Sequence, residues 1–369
     1  MKKTLAAVAV LGAFAGSALA ADVTLYGRVD TGLLMTDKSG DFADSTDWGM
    51  KSGLSTGSRV GIKGTEQLTD SLSVGFVLEK GIKTDTGATG DTEKAFDRES
   101  IVYLTSDFGE VALGRTTTIF SDGGRYNVIA GTNNVFGTGS GVFSAVDLYG
   151  GSGGRMDNSI SYRSPKFAGF QVTAQYGMGA EGKENHSTTD RMATLGVKYA
   201  EGALALSAGV LYQNWASFDG TAKDVDDGYM AGLGGSYDFG VAKVYADARY
   251  FDNQKDVGAL SGKLETGEKV LPTAKGYGLA LGASVPAAGG TFLIGAGYLD
   301  GEGQVKDSEG TWDIDVKGYE FGVQYNYQIT KRTRLYTGAG YLVHEYEDAD
   351  GESMKDKTTR VMAGMAHYF

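Results

Sequence analysis

Five bases and one acid carry the chemistry most directly readable from this chain. Arg28, Arg59, Lys63, Arg98 and Arg155 each stand on the polar side of an alternating polar and apolar run, and Glu79 stands on the polar side of another. Like charges gathered on one side of a wall repel unless something uses them. Two uses are open: a transverse field set against acids on a facing segment, or attraction of anions in transit. A third reading leaves the bases independent, each paired with a neighbouring carboxylate such as Asp30 or Glu79. The facing segment would be 115–155, a run rich in Gly, Thr and Ser whose only acids are Asp122 and Asp147. A stretch of about forty residues with no regular pattern is functional or disordered more often than it is mere connection.

Other chemistry has little to work with. Gly150-Gly151-Ser152-Gly153-Gly154 fits the G-x-S-x-G pattern, but no strand-to-helix elbow surrounds it, so it reads as a flexible loop exit. His186, His344 and His367 are widely spread and form no ligand cluster. The chain has no Cys, which excludes disulfides and thiolate metal sites. A formal charge of −12 argues against nucleic-acid binding, which wants a basic surface. No catalytic residue, metal site or cofactor is expected.

The elements that would position these residues follow from periodicity. Lys2 and Lys3, an apolar run over 4–14 and the small-residue site Ala18-Leu19-Ala20 predict a secretory signal peptide over 1–20. The apolar run is too short and too interrupted to serve as a membrane anchor helix. Beyond it, Val23, Leu25, Gly27, Val29, Thr31, Leu33 and Met35 share one face, and Thr24, Tyr26, Arg28 and Asp30 the other, the period of a strand with one apolar side. Residues 37–53 read as a polar loop, and alternation resumes with Val60 and Ile62 against Arg59, Gly61 and Lys63. The pattern runs to the C-terminus. Short connections at 66–70, 106–110, 164–169, 200–202, 238–240, 286–290 and 328–332 alternate with long polar ones. Seven short turns, with both termini on the same side, predict sixteen strands, each of roughly ten residues and able to cross a membrane.

Two features favour a membrane barrel over a soluble sandwich. Aromatics such as Phe108, Phe167, Phe170, Tyr199, Tyr237, Phe239, Phe292, Tyr325 and Tyr327 gather beside the short turns, as an interfacial girdle would. Arg, Lys and Glu lie deep within strands, opposite the apolar face, where only a water-filled lumen accommodates them. Closure also pairs every backbone group in lipid. The predicted fold class is therefore all-β, a 16-stranded antiparallel transmembrane barrel over 21–369. Within it, 116–154 is the third outward connection, folding inward to narrow the lumen. With so few acids, that loop would act more by bulk and backbone than by charge. The acids concentrate in other long loops, for example Asp224, Asp226 and Asp227, where they keep loop ends solvated or bridge divalent cations to anionic lipid heads.

Particular stretches carry a resemblance. Leu25-Tyr-Gly-Arg-Val-Asp-Thr-Gly-Leu33, the run 58–68, Phe96-Asp-Arg-Glu-Ser-Ile-Val-Tyr-Leu104, the run 108–115, the run 155–170 and the closing His367-Tyr368-Phe369 together resemble general-diffusion porins of the Gram-negative outer membrane, of the betaproteobacterial type. The resemblance implies a sixteen-stranded barrel assembled as a homotrimer, with basic wall residues facing acids on the inserted third loop. By position Arg28, Arg59, Lys63, Arg98 and Arg155 match the basic wall and Glu79 a lumen carboxylate. The loop departs from the family, since the Pro-Glu-Phe-Gly-Gly tip of some relatives is absent, and this tilts the expectation towards an anion-preferring pore. Phe369, ending an alternating strand, resembles the signal that outer-membrane barrels present to their assembly machinery. The expected partners are further copies of the chain, outer-membrane lipid and lipopolysaccharide, that machinery, and small hydrophilic solutes and ions diffusing passively. A substrate-specific channel, and a surface adhesin or structural barrel, are the alternatives.

Overall fold

The computed structural model describes residues 21–41, 44–121, 123–137, 139–144, 154–179, 190–215, 226–254, 257, 269–270, 273–306, 310–348 and 350–369. The expected signal peptide at 1–20 lies outside them, as do Asp122, Asp147, His186 and most of the Gly150–Gly154 motif.

Among the described residues the chain forms eighteen strands. They are β1 (Ala21–Gly40), β2 (Ser45–Ser52), β3 (Arg59–Thr69), β4 (Leu72–Gly81), β5 (Glu99–Ser106), β6 (Gly109–Thr117), β7 (Arg155–Arg163), β8 (Phe170–Gly177), β9 (Met192–Glu201), β10 (Leu204–Gln213), β11 (Gly228–Asp238), β12 (Lys243–Gln254), β13 (Lys269–Val270), β14 (Ala274–Ala287), β15 (Gly290–Lys306), β16 (Thr311–Thr330), β17 (Thr333–Asp348) and β18 (Ser353–Tyr368). A short helix, α1 (Ala130–Asn133), lies between β6 and β7.

Sixteen of the strands make the wall, each antiparallel to the next, and β18 returns to pair with β1. The other two are additions on long connections: β2 pairs with β1, and β13 with β15. Residues 37–53, expected as a polar loop, are thus largely a hairpin. Trp48 and Met50, interleaved with polar residues, carry the period-two pattern that the polar composition masks. At the closure the backbone N–H of Gly27 donates to the Phe369 carbonyl and that of Phe369 to the Gly27 carbonyl, both at 3.1 Å. All seven expected short turns connect neighbouring wall strands.

The two faces of the wall differ as the alternation requires. Leu195, Leu233, Leu281, Phe321 and Val361 are exposed on the outer face. Near the short turns the aromatic pairs Phe170–Tyr199, Tyr237–Phe239 and Phe292–Tyr325 lie 4.7–4.8 Å apart. A second aromatic band marks the other end of the wall. Tyr250 stands across from Tyr277 and Tyr298 across from Tyr319, the latter rings 5.3 Å apart. Two bands bracketing an apolar belt are the pattern of a wall crossing a bilayer.

Much of the apolar core is inside the barrel, between the wall and the β6–β7 connection. Ile119, Phe120, Val128 and Ile129 of that connection are buried with Met156, Met192, Leu211 and Met230 of the wall. Phe136, Val142 and Phe143 are buried with Leu54, Tyr336 and Met362, and Tyr126 with Val77, Ile101 and Tyr103. Burying such a side chain contributes about 1.5–3 kcal/mol, so the inward position of this connection has a hydrophobic driving force of its own.

Candidate functional site

Strands β1, β3, β4, β5 and β7 bring four of the five predicted bases to one side of the lumen. Arg28 and Arg59 face each other across the β1–β3 pair. Each donates its Nε–H to the Gly57 carbonyl at 3.1 Å. Arg59 and Arg98 both donate to Glu79 Oε1, at 3.2 and 2.7 Å, while Tyr26 donates its hydroxyl to Oε2 at 3.1 Å. Arg155 donates to the Arg98 carbonyl at 3.0 Å. From the inserted connection, the Gly123 carbonyl accepts from Arg59 at 3.2 Å and from Arg98 at 3.4 Å. Four guanidiniums thus converge on one carboxylate and three main-chain carbonyls, and the cluster keeps a net positive charge. On a lipid-facing wall each would cost roughly 2–4 kcal/mol at the bilayer midplane.

Some expectations need adjusting. Arg98 is not inside a strand; it immediately precedes β5, held by its N–H to the Glu79 carbonyl at 3.2 Å. Lys63 lies on the lumen side of β3 but apart from the cluster, over the Tyr26 ring at 5.3 Å. Asp30 does not pair with a basic side chain in any described contact; it accepts from backbone amides and from Tyr336. Asp122 and Asp147, the expected acidic half, lie outside the described residues.

The β6–β7 connection, 118–154, is held at its near end by groups that sequence reasoning passed over. Arg125 forms a two-pronged ion pair with Glu110 of β6, one prong at 2.7 Å, and Tyr126 donates to the same carboxylate at 2.9 Å. Arg163 adds a further contact to Glu110 at 3.2 Å, and the Arg125 N–H donates to Glu99 at 3.0 Å. Burial and the Glu110 charge push the Tyr126 phenol well above its ordinary range, which keeps it a neutral donor. The polarity at this anchor is the reverse of that expected, with the base on the loop and the acids on the wall. The signal was present: Glu99 and Glu110 share the inward parity of Ile101 and Ala112, and Arg125 is the one base within 116–154.

Further along, Asn133 of α1 donates to Asp247 at 3.3 Å and accepts from Ser207 at 2.7 Å. The far end reaches the 53–58 turn beside β1, where the Gly141 N–H donates to the Leu54 carbonyl at 2.6 Å, and strand β16, where the Ser144 N–H donates to Glu320 at 2.8 Å. Beneath the connection the wall is stripped of side chains. Gly196, Gly209 and Gly232 stand in register across β9, β10 and β11. Gly282, Gly295, Gly322 and Gly340 do so across β14, β15, β16 and β17. A Cβ on Gly209 would meet Ile119 at 2.8 Å, on Gly282 Val135 at 2.6 Å, and on Gly340 the Val142 carbonyl oxygen at 2.0 Å. The two rows form a groove that the loop fills. Between them the loop crosses β12 at Asp247, and Phe136 and Phe143 stack 4.9 Å apart over Gly295.

Comparisons with known proteins agree with this architecture. The family described as Gram-negative porin matches residues 6–348. An outer membrane porin protein of Bordetella pertussis is 33% identical, with all of both chains covered. Outer membrane porin protein 32 of Delftia acidovorans is 31% identical, also with all of both chains covered. Among solved structures, an anion-selective porin from Comamonas acidovorans superposes with a TM-score of 0.67 at 26% identity, covering 95% of this chain and 100% of that one. An outer membrane protein of Vibrio cholerae, solved in trimer form, superposes at 0.57 and 18% identity over 95% of this chain and 100% of its own. A closed sixteen-stranded wall, a charged lumen and full-length similarity to outer-membrane relatives lead to one assignment: this chain belongs to the Gram-negative porin family and is a non-enzymatic channel of the outer membrane.

Proposed function

We propose that this porin passes small hydrophilic solutes and ions by passive diffusion with a preference for anions. Its constriction is formed by the loop 116–154 against Arg28, Arg59, Arg98, Arg155 and Glu79, with Lys63 further along β3 adding positive charge to the lumen and Asp122 and Asp147 as the loop's own acids. The observation that carries this reading is a cluster of four guanidiniums with one carboxylate, Glu79, which pairs with Arg59 and Arg98, while Arg28 and Arg155 rest on main-chain carbonyls. The carbonyls of Gly57, Gly123 and Arg98 hold the arginines in place without cancelling their charge. A transiting anion is attracted by such a wall and a cation is repelled. The Comamonas acidovorans relative, described as anion-selective, lends further support.

The test is the reversal potential of purified protein in a planar bilayer under a salt gradient. Its sign should report anions as the faster species; a cation-favouring potential refutes the preference. Saturable flux of one solute class would mark a substrate-specific channel, and a stable barrel without conductance an adhesin or structural role. We further propose a homotrimer set in outer-membrane lipid and lipopolysaccharide, and delivery by the barrel-assembly machinery through Phe369. Unheated protein should run as a large band on a denaturing gel and collapse on boiling, and conductance should rise in steps of three.

A further inference from the structure

Asp30 is fully buried on the lumen side of β1, yet none of its described contacts is an ion pair. It organises the short turn 53–58, which also lies inside the barrel. Carboxylate Oδ2 accepts the N–H groups of Ser55 at 3.1 Å and Thr56 at 2.7 Å, and Oδ1 accepts the Tyr336 hydroxyl at 2.5 Å. The Asp30 carbonyl accepts the Gly53 N–H at 2.8 Å and the Ser58 hydroxyl at 3.0 Å. Gly53 opens the turn at φ +75, a left-handed conformation natural to glycine.

The turn so held presents two carbonyls. That of Gly57 accepts Nε–H from both Arg28 and Arg59, and that of Leu54 accepts the N–H of Gly141 at the far end of the inserted loop. One side chain therefore fixes, through two backbone oxygens, both the orientation of two wall arginines and the landing point of the loop. We infer that Asp30 is a positioning residue for ion selection, acting through the 53–58 turn and not through its own charge. This rests on the reading that the arginine cluster sets the ion preference.

The sign of the effect separates position from charge. Removing a carboxylate from a basic site raises anion preference if only charge counts. Asp30→Ala instead removes both acceptor oxygens, so the Ser55 and Thr56 N–H groups lose their partner and the turn is released. Arg28 then loses its Gly57 contact and averages over more orientations, while Arg59 loses one of its three contacts and stays on Glu79 and Gly123, so the anion-to-cation permeability ratio should fall by about twofold. Thr56→Pro removes the shorter of the two amide bonds from the turn side without changing any charge, and should lower the ratio in the same direction. It also carries the test if Asp30→Ala does not fold, folding being scored by the heat-dependent gel shift. Tyr336→Phe removes the other contact of the carboxylate and leaves the turn in place, so its ratio should equal wild type. A ratio that rises or stays constant in Asp30→Ala or in Thr56→Pro overturns the inference, as does an equal fall in Tyr336→Phe. If Arg59→Ser with Arg98→Ser also leaves the ratio unchanged, the reading of the arginine cluster itself has failed.

Discussion

Replacing Arg59 and Arg98 together by Ser is the most direct perturbation of the constriction. Both donate to Glu79 Oε1 and both reach the Gly123 carbonyl, so the double change empties one side of the gap between wall and loop. The four guanidiniums and one carboxylate of the cluster carry a net three positive charges, and the variant leaves one. An ion passing about 6 Å from a charge in water gains or loses roughly 0.7 kcal/mol, which screening at physiological salt reduces to about 0.3 kcal/mol. Two lost charges move the anion and the cation in opposite senses by about 0.6 kcal/mol each, so the permeability ratio should fall about eightfold. The low-dielectric wall makes this a lower bound. Shorter side chains also widen the gap, so single-channel conductance should rise. The assay is the reversal potential across a planar bilayer under a salt gradient, with conductance read from the same membrane. A variant that inserts normally but keeps both values at wild type would show that these arginines do not set the field, and the shared-constriction argument would be wrong.

Other predictions concern the loop. Arg125→Ala removes the two-pronged contact to Glu110 while leaving Arg163 there; losing such charge-assisted bonds costs roughly 2 kcal/mol, to be seen as increased open-channel noise with an unchanged gel shift. Gly340→Ala sets a Cβ at 2.0 Å from the Val142 carbonyl oxygen, so the loop must leave its groove and steady conductance should change, whereas Gly49→Ala, with nothing within 4 Å, should leave conductance as it was. Burial and Glu110 raise the Tyr126 phenol, so its contribution is complete below the ordinary tyrosine pKa of about 10 and declines only as the pH rises beyond it. Open-channel noise should therefore stay flat from neutral pH up to that point; a rise at lower pH counts against the Tyr126 anchor.

The wall was legible because a barrel writes its pattern locally. Alternation at Val23 to Met35 depends only on which side of one strand meets lipid, and the seven short turns follow from the same count. Arg28, Arg59, Arg98 and Arg155 could be grouped because lumen parity and strand order are both readable. Lys63 shares that parity, but register places it four residues along β3 from Arg59, and parity alone does not give height along the axis. The loop's fastenings were hidden for a different reason. Arg125 meets Glu110 and Gly141 meets Leu54 through tertiary contacts that no periodicity records. The glycine rows were visible only as an unusual abundance, 58 in all, until register aligned them. The hairpin strand β2 was masked by polar residues because its edge projects beyond the wall pairing of β1 and β3.

The glycine rows also bear on the order of assembly. A groove made of Gly282, Gly295, Gly322 and Gly340 exists only when four strands from the C-terminal half are side by side in register. The loop that fills it is synthesised earlier, between β6 and β7, and has no complementary surface until those strands have zipped. Insertion into the bilayer and calibration of the bore are thus separate events, the second waiting on the first. A refolding time course should show it: the gel shift that marks the closed wall should be complete while the conductance of newly inserted channels is still settling to its final value, and simultaneous completion would show that the loop docks as the wall forms.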